Sequence, residues 1–126
     1  KRLTCRWSLI PRCELMETRI HQFSSLTSQI KGQAGPYLEF LRQSSLSMGI
    51  FELAAGGQDV QEPHTEDEVY FVVEGRAQFK LEERDFEVEP GSIIFVKARE
   101  VHRFHSVTQD LSVLVFFAPA ERSSSS

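Results

Sequence analysis

Cysteine is scarce in this chain, and its two copies, Cys5 and Cys13, both fall within the first thirteen of 126 residues. The remaining 113 residues have none and no C-x-x-C spacing occurs, which argues against a thiolate zinc site, a redox dithiol or a fold that depends on disulfides. Long apolar runs are also missing: no stretch approaches the roughly 18–20 residues that a membrane-spanning helix needs. Basic charge is in deficit, with 14 Lys and Arg against 18 Asp and Glu, a formal charge of −4. That balance argues against a phosphate backbone as the main partner. Asparagine is absent, and the aromatic content is lopsided: ten Phe against two Tyr and one Trp.

The charge that is present is unevenly spread. Residues 1–13 (KRLTCRWSLIPRC) hold four bases and no acid, whereas residues 59–100 hold twelve acids against five bases. Residues 1–15 therefore read as a basic N-terminal extension separate from the domain. It is a non-native start ahead of Met16, an organelle-targeting remnant, or an ordered extension. Residues 16–122 read as a single domain, and Ser123–Ser126 as a disordered tail. The cysteine-free domain reads as a cytoplasmic protein.

Within the domain the patterning is that of strands. Pro36–Leu46 places apolar Tyr37, Leu38, Phe40 and Leu41 behind a proline, the spacing expected of one short helix. Beyond it, short Val-, Ile- and Phe-rich runs over 47–53, 68–73, 77–81, 85–88, 93–96, 102–107 and 112–117 alternate with Gly, Pro and acidic turn segments. Seven strands with one minor helix predict an all-β sandwich or barrel. Val69–Val73 and Leu111–Phe117 are apolar at successive positions, so both faces of each strand need cover, from the N-terminal elements or a second subunit. A homodimer is the expectation.

The chemistry-bearing residues are acidic, with two separated histidines. In the run from Gly56 to Gly75 (GGQDVQEPHTEDEVYFVVEG), Glu62 and His64 share a face if that segment is extended, and Glu68 opens the next strand. His102 follows in the segment that starts at Gly91. The spacing resembles the cupin family. Its first motif, G-x5-H-x-H-x3-E-x6-G, falls on Gly56, Glu62 (in the first histidine's place), His64, Glu68 and Gly75. Its second, G-x5-P-x-G-x2-H-x3-N, falls on Gly91, Lys97, Arg99, His102 and Ser106, with fifteen residues between the motifs. The resemblance covers about residues 45–118. It implies a double-stranded β-helix, the jelly-roll barrel, of the small cupin-2 or RmlC-like type.

That likeness further implies one divalent transition metal, Fe, Mn, Zn or Ni, held by His64, Glu68, His102 and Glu62, or by the first three alone with Glu62 turned away. Two imidazoles with carboxylates suit such ions better than softer ones. The implied function is a metal-dependent enzyme of dioxygenase, isomerase or lyase type acting on a small molecule. The alternative is a non-catalytic binder of a sugar or metabolite. Phe51, Tyr70, Phe79, Phe95, Phe104 and Phe117 are candidates for an apolar wall, among which Tyr70, Phe51, Phe79 and Phe104 are taken as substrate-binding. Gln61 and Arg103 are lesser candidates, and His105 and His21 are expected at the surface.

Overall fold

The structure is a computed structural model, and residues 19–122 are described. The basic extension, Cys5 and Cys13, Met16 as a start, and the serine tail lie outside the described residues. One helix, α1 (Phe23–Lys31), precedes six strands: β1 (Tyr37–Gln43), β2 (Leu46–Leu53), β3 (Asp67–Leu81), β4 (Arg84–Val88), β5 (Ile93–Val96) and β6 (His102–Ala118). All strand pairs are antiparallel and run β1-β2-β6-β3-β4, with β5 on the free side of β3. The architecture is all-β, as the patterning predicts.

The expected helix over Pro36–Leu46 is instead strand β1, paired with β2 from Tyr37 opposite Phe51 to Gln43 opposite Leu46. Both its faces are half-buried. Tyr37 turns toward the barrel interior, while Leu38 and Phe40 pack outward on the cluster around Leu26, Ile30 and Ile50. A register shift between Glu39 and Leu41 adds to the irregularity. Two covered faces and a bulge mimic helical spacing. The helix lies upstream, where Phe23, Leu26 and Ile30 form a one-sided stripe and Gly32 caps the C-terminus.

Two other expected breaks are not breaks. Glu74-Gly75 and Gln109-Asp110, read as turns, lie within the long strands β3 and β6, which pair along their length with register shifts between Val72 and Gln78. Gly75 has φ +102, and a Cβ there would collide with the Asp110 carbonyl and Leu111. The glycine marks a bend at a close backbone approach rather than a loop.

The inner faces build the core, in which Tyr70, Phe79, Phe104, Phe117 and Val113 are fully buried. Full burial of each such side chain contributes about 1.5–3 kcal/mol before chain entropy is charged against it. Phe95 is not part of this wall: its parity is outward and it is 58% exposed. Among the described residues no helix is long and apolar enough to cross a membrane.

Candidate metal centre

The loop between β2 and β3 lacks regular structure, yet it is fastened to the barrel along its length. Ala55 N–H donates to Asp110 Oδ1 (2.9 Å), Gly56 N–H to the Val107 carbonyl (2.9 Å), and Phe104 N–H to Asp59 Oδ2 (2.9 Å). At the far end Arg99 N–H donates to the His64 carbonyl (2.6 Å). His64 is thereby held over the barrel mouth. Glu68 and His102 reach the same place from the inner faces of β3 and β6, at the ends where those strands begin.

Each of His64, Glu68 and His102 offers a ligand atom within 4.8 Å of the others. His102 Nε2 is 3.1 Å from Glu68 Oε1, and His64 Nε2 is 4.0 Å from the same oxygen. Two donors at about 2.1 Å from a shared ion stand about 3.0 Å apart at right angles and about 4.2 Å apart in trans. Both separations fall in that range.

Hydrogen bonding points the same way. His102 Nδ1–H donates to the Glu100 carbonyl (2.8 Å), which leaves a lone pair on Nε2 in the neutral ring. That lone pair faces a carboxylate oxygen, and the 3.1 Å contact lacks hydrogen-bond geometry. Glu68 Oε1, Glu68 Oε2 and His102 Nε2 are all buried without a hydrogen-bond partner. Facing acceptors in a closed interior are costly unless a cation lies between them. The donor set therefore fits a divalent ion. Burial pulls the His102 pKa down, but the Glu68 carboxylate and the Glu100 carbonyl outweigh it and leave the ring above its ordinary value, so a proton and a metal compete for the same nitrogen.

Glu62, the fourth candidate, is exposed and outside this group. The shared-face argument for Glu62 and His64 assumed extended chain, and the loop is not a strand. Its neighbour Gln61 turns in: Oε1 accepts from the Tyr70 hydroxyl (3.1 Å) and lies 3.1 Å from His64 Nε2, while Nε2–H donates to Asp59 Oδ2 (2.6 Å). Burial first, and the nearby Glu68 second, raise the Tyr70 pKa well above the ordinary phenol value, so its hydroxyl stays a donor.

His64, Glu68, Gln61 and Tyr70 line a cavity of about 540 Å3, a size that holds a small molecule, and His102 reaches Glu68 from outside that lining. Of the four aromatics taken as substrate-binding, Tyr70 and Phe51 line it; Phe79 and Phe104 pack beneath Tyr70 in the core at ring separations of 5.6 and 5.0 Å. Tyr37, Phe117 and Glu121 also line it. Glu121 comes from the segment after β6 and brings Oε2 to 3.5 Å from His64 Nδ1. Burial raises its carboxyl pKa, with His64 opposing. Neither Asp59 nor Glu121 carries a motif spacing that would have singled it out. His105 lies outside the cavity, paired with Asp85 Oδ1 (2.6 Å), and Arg103 is exposed. His21 is half-buried against Phe40 rather than at the surface.

Comparison with known proteins identifies the fold and the family. A cupin domain model matches residues 49–117. An uncharacterised Streptomyces coelicolor protein is 42% identical over 100 residues, 79% of this chain and 95% of its own length. Among solved structures, an uncharacterised Klebsiella pneumoniae protein with a double-stranded β-helix domain superposes with a TM-score of 0.69 at 17% identity, covering 82% of this chain and 91% of that one. The DMSP lyase DddQ of Ruegeria pomeroyi superposes at 0.59 with 20% identity, over 66% of this chain and 47% of the lyase. The double-stranded β-helix fold, the domain match across more than half of the sequence and the close relative together establish that the chain belongs to the cupin family.

Proposed function

We propose that this protein is a metal-dependent enzyme that holds one divalent ion, Fe, Mn, Zn or Ni, through His64, Glu68 and His102 and acts on a small molecule in the adjoining cavity. The observation that carries this reading is the set of three buried, unpartnered acceptor atoms, Glu68 Oε1, Glu68 Oε2 and His102 Nε2, converging with His64, where His64 and Glu68 line the cavity. When bound, such an ion supplies Lewis-acid polarisation and open coordination positions. The chain supplies the rest. Phe51, Val115 and Phe117 give the cavity an apolar wall, and the Tyr70 hydroxyl is a fixed donor beside the ligands.

Asp59, Glu62, Glu66, Glu68 and Glu121 line the cavity with Arg122 alone among Lys and Arg, and a divalent ion there would offset part of that negative charge, so its open positions can take a carboxylate as well as a neutral group. A lyase, isomerase or oxygenase reaction is compatible with this frame, and the DMSP lyase neighbour makes lyase chemistry one of the reactions to assay.

The test is elemental analysis of protein purified without added metal, followed by turnover assays. About one ion per chain is expected, dropping to background in His64→Ala and in His102→Ala. Metal at background that Fe, Mn, Ni and Zn all fail to restore overturns the reading. Full metal occupancy without oxygen uptake, elimination or isomerisation across neutral, cationic and carboxylate-bearing substrates identifies a binder instead.

A further inference from the structure

We infer that Gln61 Oε1 is a fourth protein donor to the ion, standing in for the histidine that the first motif lacks at Glu62. The inference rests on the metal-binding reading above and concerns a residue that the motif does not mark.

Three observations converge on it. The first is orientation. An amide side chain presents either oxygen or nitrogen, and here the choice is fixed: Gln61 Nε2–H donates to Asp59 Oδ2 at 2.6 Å, so Oε1 is forced toward the ligands. Asp59 is itself anchored, 8% exposed and accepting from Phe104 N–H. An aspartate buried among apolar strands is costly, and holding this amide and this backbone group together gives it a use.

The second is the imbalance at His64. A neutral imidazole has one N–H, yet His64 faces an acceptor at each nitrogen: Glu121 Oε2 at 3.5 Å from Nδ1 and Gln61 Oε1 at 3.1 Å from Nε2. With the proton on Nδ1 and directed to Glu121, the Nε2 lone pair and the Gln61 oxygen face one another. Unlike the contact of His102 Nε2 with Glu68 Oε1, also 3.1 Å long, this one has hydrogen-bond geometry, so an ion bound here would displace the His64 proton from Nε2 to Nδ1, where Glu121 is the acceptor. In each ligand pair the separation is that of adjacent donors around one ion. Glu121 then acts as a positioning residue that fixes the His64 tautomer, as the Glu100 carbonyl does for His102.

The third is chemical fit. An amide oxygen is a hard, uncharged donor. Two imidazoles, one carboxylate and one amide carry a single negative charge, whereas Glu62 in that place would have made two. The Tyr70 hydroxyl donates to the same oxygen and helps to hold it in place.

The experiment is titration of metal-stripped protein with Mn2+ and, separately, Zn2+ by calorimetry, comparing wild type with Gln61→Ala, Gln61→Glu and Glu62→Ala. Thermal melting of each stripped variant verifies folding. Gln61→Ala is expected to weaken binding about 10-fold or more, Glu62→Ala to leave it within about twofold of wild type, and Gln61→Glu to restore or tighten it by returning a carboxylate oxygen to the site. Glu121→Gln, which keeps an acceptor for His64 Nδ1–H, is expected to weaken binding less than Glu121→Ala. Wild-type affinity in Gln61→Ala overturns the Gln61 assignment while the three-residue centre stands. Loss of affinity in Glu62→Ala with none in Gln61→Ala returns the role to Glu62. A wild type that takes up neither ion overturns both readings.

Discussion

At the scale of single residues, Glu68 is where stability and function oppose each other. Its side chain is 1% exposed, and both oxygens lack a hydrogen-bond partner. Such a group survives in a core when something else compensates, and an ion held by it stabilises the folded state by mass action, about 2.7 kcal/mol at a hundred times the dissociation constant. The prediction is a metal-dependent rise in melting temperature that Glu68→Gln abolishes, read by thermal melting with and without saturating Mn2+ or Zn2+. An equal rise in Glu68→Gln would remove Glu68 from the centre. The sequence made this much legible: His64, Glu68 and His102 come together as the motif spacing implied. It did not separate Gln61 from Glu62, because which of two neighbours turns inward on an irregular loop depends on tertiary anchors, here Asp59 and Tyr70, and not on a period.

At the scale of elements, the second motif shows what its non-ligand positions are for. This chain has Arg99 where the motif has Gly, and Ser106 where it has Asn. Both adopt positive φ, +72 and +50, the region that Gly and Asn enter most readily. Lys97 replaces the motif's Pro, and its N–H donates to Glu100 Oε1 (2.8 Å), a contact that Pro would remove. A second brace, Ala98 N–H to Asp67 Oδ1 (2.9 Å), ties the turn to the start of β3. The turn persists because hydrogen bonds replace backbone preference, and it carries the Arg99 N–H that fixes His64. Relieving the strain should therefore stabilise the fold without touching a ligand. Arg99→Gly is expected to gain about 0.5–1 kcal/mol, the left-handed penalty less the added chain entropy. That is roughly 3–5 °C in melting temperature, with Ser106→Asn gaining less. An unchanged or lower melting temperature for Arg99→Gly would mean that the left-handed backbone is not strained. Elements were legible to different degrees for the same kind of reason. Strands with one dry and one wet face alternate clearly, but β1, half-buried on both faces and bulged, carried a helical signature. Helix α1, built largely of Ser, Thr and Gln around three apolar residues, carried little signature of any kind.

At the scale of the whole molecule, what stands out is the outer face of the sheet. Pairing aligns Met48, Phe116, Val69 and Phe95 in one row across β2, β6, β3 and β5, and Ile50, Leu114, Phe71 and Ile93 in the next. All eight side chains point away from the barrel interior. Helix α1 covers the β2 end, where Ile50 is fully buried. At the β5 end Ile93 is 71% and Phe95 58% exposed. These rows explain why β3 and the C-terminal half of β6 read as apolar on both faces, and we propose the uncovered part of them as the surface for a homodimer. Beyond the part that α1 covers, such an apolar face suits a second copy of itself better than a polar partner, since a two-fold contact asks only that a patch complement itself. Light scattering of wild type at micromolar concentration is expected to give twice the 14.4 kDa of one chain. Phe95→Glu, alone or with Ile93→Asp, would place charge in the centre of the contact and should return the monomer mass with the barrel intact, as judged by an unchanged far-UV spectrum. A wild type of 14.4 kDa would leave the rows without this partner, and a Phe95→Glu dimer would move the interface to another face of the barrel. The cavity and its ligands open on the opposite surface of the same strands, so the monomeric variant should bind metal as wild type does. Loss of metal on dissociation would instead show that the second subunit supports the site.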